Sequence, residues 1–130
     1  MKFYECKACG NIMVLIDESG VIPECCGSPM EEIIPSRNDE TKEKHVPIIN
    51  IEGCKVTISI SSKPHPMEDV HYIKWVVLET DMGFYIRRLL PGNKPEVIFN
   101  IKEDEKVLAA YEYCNLHSLW CLSYDETCGC

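Results

Sequence analysis

Nine cysteines and four histidines in 130 residues constrain this chain more than any other feature. An odd number of thiols cannot all pair as disulfides, and the start, Met1-Lys2-Phe3-Tyr4-Glu5, lacks the apolar stretch of a secretory signal. The cysteines are therefore expected to act as thiolate metal ligands rather than as covalent staples. Cys6-Lys7-Ala8-Cys9-Gly10 is a C-x-x-C followed by glycine, a knuckle in which two thiolates converge on one ion while the glycine lets the backbone turn behind them. Cys25-Cys26-Gly27 adds a second pair. Consecutive side chains tend to point apart, so using both cysteines requires a local distortion. A Cys25–Cys26 disulfide and inert buried thiols are the competing readings. Four thiolates suit tetrahedral zinc or mononuclear iron, and the spacing leaves both open.

The length allows one domain, or one modest domain with a small module. Hydrophobic residues make up 45% and charged residues 26%, and no apolar run approaches the length of a membrane span. A net charge of −8 argues against nucleic acid or an anionic lipid surface as partner. Residues 1–36 hold four cysteines and short strand-like pieces, Ile12 to Ile16 and Val21-Ile22, too little apolar material to fold without a metal or a neighbour. The polar run 37–44 reads as a linker, or as a solvated loop. Residues 45–125 read as an antiparallel β-sandwich, with 126–130 as a cysteine-containing tail. Val56 to Ser61 alternates apolar and polar residues, and Tyr72–Leu78, Phe84–Leu90, Glu96–Ile101 and Val107–Tyr113 are further strands separated by turn signals. Lys102 to Ala110 is ambiguous between helix and strand.

All four histidines lie in the second region. His45 opens it, His65 is held between Pro64 and Pro66, His71 precedes a predicted strand, and Cys114-Asn115-Leu116-His117 follows another. A single histidine is most often a surface or satisfied core residue. Here none is left over as background, and a thiolate added to imidazoles favours a redox-active iron or copper site.

These motifs resemble the desulfoferrodoxins, the two-iron form of superoxide reductase. The resemblance rests on Cys6-x-x-Cys9 with Cys25-Cys26, Glu43-Lys44-His45-Val46-Pro47, Pro64-His65-Pro66-Met67-Glu68, His71-x-x-x-Trp75, Leu90-Pro91-Gly92 with Pro95-Glu96, and Glu112 to His117. It covers about residues 1–122 and implies a small desulforedoxin-like (rubredoxin-type) metal domain followed by an immunoglobulin-like antiparallel β-sandwich. It implies two iron ions per chain. Cys6, Cys9, Cys25 and Cys26 would hold one. His45, His65, His71 and His117 would surround the other equatorially, with Cys114 as axial ligand and the opposite face open. The implied reaction is one-electron reduction of superoxide to hydrogen peroxide, with electrons from an external donor such as rubredoxin. Lys44 would attract the anion and order a proton-donating water, and Glu43 would supply a carboxylate to the oxidised site. A cytoplasmic homodimer is also implied.

Two other readings compete. A cupredoxin-like electron carrier would use His45 with Cys114-x-x-His117, but it leaves His65 and His71 without a role. A zinc-ribbon interaction module on a β-sandwich would turn nothing over. Cys54, Cys121, Cys128 and Cys130 fall outside the metal pattern, and Cys128-Gly129-Cys130 reads as a flexible tail of free thiols or as a redox dithiol.

Overall fold

A computed structural model of the chain describes residues 1–36 and 45–124. The linker reading of 37–44, with Glu43 and Lys44, and the tail reading of 126–130 fall outside the described residues. The chain divides into two compact units, Met1–Ile34 and Pro35 onward. Among the described residues no helix is long and apolar enough to cross a membrane.

The first unit is built from five short strands: β1 (Lys2–Glu5), β2 (Ile12–Leu15), β3 (Glu24–Cys25), β4 (Ser28–Pro29) and β5 (Glu31–Glu32). β1 pairs antiparallel with β2 on one side and β5 on the other, and β3 with β4 forms a separate two-residue hairpin. Tyr4, Cys6 and Met30 form one buried cluster, with Leu15 and Cys25 packed against it, and Phe3 and Ile33 are buried as well. Val21 and Ile22 form no strand and are exposed at 75% and 52%. Their β-branched side chains favour extended backbone, but no partner strand reaches them.

The second unit contains β6 (Pro47–Glu52), β7 (Lys55–Ile60), β8 (Ile73–Thr80), β9 (Gly83–Arg88), β10 (Glu96–Asn100), β11 (Val107–Cys114) and β12 (Ser118–Ser123). A three-stranded sheet, β10-β7-β6, faces a four-stranded one, β12-β11-β8-β9, and all pairings are antiparallel. This is an immunoglobulin-like β-sandwich. Alternation drives it: Val56, Ile58 and Ile60 of β7 turn inward onto Ile73, Val76 and Leu78 of β8, Val97 and Phe99 of β10, and Ala110 and Cys114 of β11. Each large apolar side chain so buried contributes about 1.5–3 kcal/mol. Among the described residues the first unit has no apolar cluster of this size. Lys102 to Lys106 is turn and loop, and strand begins at Val107.

One buried carboxylate ties the sandwich together. Glu105, 8% exposed, accepts hydrogen bonds from Thr80 Oγ1 (2.6 Å), Tyr85 Oη (2.9 Å) and the Lys102 amide (3.1 Å). The Thr80 bond above all holds its pKa below the usual carboxylate value, against the opposing effect of burial. A depressed folded pKa means the unfolded chain binds more protons near pH 4, so stability rises with pH there. Glu105 therefore stabilises fully above its unfolded pKa of about 4.3, and loses that contribution as pH falls through the lower folded value. Glu105→Gln is expected to lower stability at neutral pH and to flatten the acid limb of the curve. Denaturant unfolding between pH 3 and 7 measures this. A variant curve parallel to the native one would remove Glu105 from the acid response.

Candidate metal centres

In the first unit the thiols of Cys6, Cys9, Cys25 and Cys26 come together, with all four sulfurs within 4.8 Å of one another. Gly10, at φ 76°, closes the knuckle after Cys9, and its amide donates to the Cys6 carbonyl at 2.8 Å. The distortion expected at the adjacent pair is at Cys26, whose φ is 55°. Left-handed backbone at a residue with a Cβ costs about 1–2 kcal/mol. It turns the Cys26 sulfur to the same side as that of Cys25, 3.9 Å away, and both thiols are free. Cys9 Sγ lies 3.6 Å from Cys25 Sγ. The Cys9 amide pulls the Cys6 thiol down to about 7, while neighbouring Cys9 and Cys25 push Cys26 up to about 12. Four thiols this close cannot all ionise side by side in the absence of a cation, whose charge would reverse that order.

In the second unit His45, His65, His71, His117 and Cys114 converge, again with their ligand atoms within 4.8 Å of one another. All five lie at one end of the sandwich. His45 sits two residues before β6, His65 follows β7, His71 precedes β8, Cys114 ends β11 and His117 precedes β12. Antiparallel pairing brings those strand ends together: Pro47 opposes Ile60, Ile73 opposes Cys114, and Cys114 opposes Ser118. The rings follow one another round a closed circuit. Centroid separations are 4.6 Å for His45–His65, 4.6 Å for His65–His71, 5.0 Å for His71–His117 and 4.7 Å for His117–His45. The distance across, His45 to His71, is 6.3 Å, close to the diagonal of a square on those sides. Adjacent rings meet edge to face, at 64° to 78°.

Hydrogen bonds fix which nitrogen two of the rings offer. His65 Nδ1 donates to the Pro66 carbonyl at 2.6 Å, and His45 Nδ1 lies 3.2 Å from Glu112 Oε1, so each leaves Nε2 for an ion. His117 turns its Nδ1 toward Cys114 Sγ, at 3.7 Å. His45, His65 and Cys114 are buried, His71 is half-buried and His117 exposed, so the group reaches the surface on one side. Burial pushes the Cys114 thiol up, while the amides of Leu116 and His117 pull it the other way. A bound cation would deprotonate it outright.

Three neighbours were not singled out from the sequence. Glu112 is fully buried, and burial holds its pKa well above the usual carboxylate range. Its signal was available: it occupies an inward position of β11 between Ala110 and Cys114, where an unpaired charge is not tolerated. Trp120 stacks on His45 at 4.9 Å and donates its Nε1–H to the His117 carbonyl at 3.1 Å. Asn115 bonds the backbone on both sides of His71. Cys54 is exposed and Cys121 buried, and neither joins either group, while Cys128 and Cys130 lie outside the described residues.

The desulfoferrodoxin family model matches residues 37–123. A desulfoferrodoxin homolog of Archaeoglobus fulgidus is 40% identical over 120 residues, covering 92% of this chain and 94% of the relative. The desulfoferrodoxin of Nitratidesulfovibrio vulgaris is 41% identical over 119 residues, covering 92% and 93%. The crystal structure of the superoxide reductase from Treponema pallidum superposes with a TM-score of 0.78 at 32% identity, over 94% of this chain and 96% of that one. The relatives match over most of the chain, and the chain belongs to the desulfoferrodoxin family.

Proposed function

We propose that the chain is a superoxide reductase. It takes one superoxide, one electron from an external donor such as rubredoxin, and two protons, and returns one hydrogen peroxide. The observation behind this reading is the square of four imidazoles joined by one buried thiol, open to solvent on the His117 side. Imidazole and thiolate suit iron, copper and zinc alike, but five donors with four rings on a square do not match the tetrahedral set that zinc favours. A trigonal copper site would need two imidazoles and the thiolate, and so would leave two of the four rings unused. Iron is therefore assigned to the His45, His65, His71, His117 and Cys114 centre. A second iron is assigned to Cys6, Cys9, Cys25 and Cys26. The similarity to the Treponema pallidum superoxide reductase supports the same reaction here.

Bound ferrous iron would supply the single electron. The rest belongs to the chain. Cys114, with no exposure to water, would supply the thiolate that pushes electron density toward the ion, and the amides of Leu116 and His117 that pull its pKa down would temper that push. Glu112 holds the His45 ring by its Nδ1 side, and Trp120 covers the face of that ring. The net charge of −8 repels an anionic substrate, but salt screens such fields beyond about 8 Å. Local charge then decides. Lys44, next to His45 in sequence, is assigned the capture of superoxide and the ordering of a proton-donating water. A lysine about 4 Å from the anion offers roughly 1–4 kcal/mol, depending on dielectric. Glu43 is assigned as the carboxylate that serves the oxidised site. We assign the protein to the cytoplasm as a homodimer, with the four-cysteine iron as relay or staple.

Pulse radiolysis of the reduced protein, with metal content measured on the same sample, tests this. The expected result is one peroxide per superoxide consumed and iron in both centres. One peroxide per two superoxides, or copper or zinc in place of iron at the histidine-rich centre, overturns it. Lys44→Ala is expected to slow second-order capture of superoxide, most at low salt, with iron content unchanged. An unchanged rate removes the electrostatic role of that residue.

A further inference from the structure

We infer that Asn115 is the positioning residue that locks His71 onto the loop carrying Cys114 and His117. The inference rests on reading the five side chains as one metal centre. His71 lies between Val70, 73% exposed, and half-buried Tyr72. Apolar packing does little to hold so exposed a segment in place. Hydrogen bonds do that instead. The His71 amide and carbonyl both pair with Glu68, at 3.0 Å each. The peptide groups on either side go to Asn115. Its Oδ1 accepts from the Tyr72 amide at 2.8 Å, its Nδ2 donates to the Val70 carbonyl at 3.0 Å, and its own amide donates to the Tyr72 carbonyl at 3.1 Å.

The residue type follows from the task. One short side chain must accept from one peptide at one atom and donate to another peptide from a second atom, which a carboxamide does and a hydroxyl, with its single oxygen, does not. Aspartate keeps the acceptor and loses the donor, glutamine is a carbon too long, and alanine offers neither. The backbone prepares the contact as well. Pairing between β11 and β8 slips at the last residue, where Tyr113 opposes Trp75 but Cys114 opposes Ile73. That bulge carries the chain past the strand end and sets Asn115 beside Tyr72. Asn115 is bonded to Cys114 and stands two residues before His117, so a single side chain ties together three of the five donors. These lie in segments 43 residues apart in sequence.

The test titrates metal-free full-length protein with Co²⁺ and follows the thiolate-to-metal absorption that Cys114→Ser lacks. Asn115→Ala is expected to need about 10- to 100-fold more Co²⁺ and to shift that absorption, as loss of a ligand's support usually does. The absorption from the four-cysteine centre should stay unchanged. Asn115→Asp, which keeps the bond to Tyr72, should fall between the two. A native midpoint and band in Asn115→Ala overturns the inference. So does a lower melting temperature with band and midpoint unmoved, because that is a structural role only. Should the alanine variant not fold, Asn115→Asp decides by the same two readouts. Native protein with no Cys114-dependent absorption overturns the reading of the centre, and the inference with it.

Discussion

Cys114→Ser is expected to abolish the thiolate-to-metal absorption of the histidine-rich centre and to reduce superoxide turnover by roughly 100-fold or more, about 2.7 kcal/mol of barrier. The fold should survive. Cys114 has no exposure to water, so a hydroxyl placed there must find partners, and the amides of Leu116 and His117 already point at the sulfur. The volume change is small and leaves little cavity. What disappears is the soft donor. Serine stays protonated where a thiol would ionise on a cation, and its oxygen donates electron density poorly. The four imidazoles would still gather an ion, so metal content separates loss of electron donation from loss of the centre. Visible absorption, iron analysis and a superoxide assay on one preparation, with thermal unfolding as control, make the measurement. A serine variant that keeps the native rate would show that the sulfur is not a donor in the reaction.

How far this site could be read from the sequence depended on how local its causes were. The candidate ligands were legible because cysteine and histidine stand out by type and spacing, and β7, β8, β10 and β11 announce themselves by alternation or by runs of β-branched residues. β12 was hidden. Leu119, Trp120 and Cys121 are all buried, so a strand covered on both faces shows no period. β6 was hidden as well, because Pro47 read as the end of a ligand motif rather than the start of a strand. The strain at Cys25-Cys26 was predictable, but its form, a left-handed Cys26, was not. Asn115 was invisible for a plainer reason. Its bonds go to peptide groups at Val70 and Tyr72, and backbone atoms leave no trace in residue identity. Glu112 could have been found by counting faces along β11.

The same separation of local from distant causes predicts how the two units respond when their ions are removed. Replacing Cys9 and Cys26 by serine in the full chain is expected to unfold residues 1–34 while the sandwich keeps its structure and its own centre. The strands of the first unit are two to four residues long, and its buried apolar side chains among the described residues are Phe3, Tyr4, Cys6, Met30 and Ile33. Ile16, Val21 and Ile22 are left exposed, so the apolar burial that offsets chain entropy elsewhere is missing. The backbone strain at Cys26 and the crowding of four thiols add to the deficit. Structural zinc supplies about 10–16 kcal/mol in zinc-finger peptides, and an ion bound here with a comparable free energy would exceed all of these costs. The sandwich has thirteen buried residues in a single core and needs no such help. Amide hydrogen exchange distinguishes the units directly. In the variant the protected amides of Cys6, Gly10, Met30 and Ile33 should exchange at the rate of unfolded chain, while those of Ile60, Leu89 and Ile101 keep native protection. Protection retained at the first four amides would mean that the unit folds without its metal, and would end the argument that the four thiols are there to make it fold.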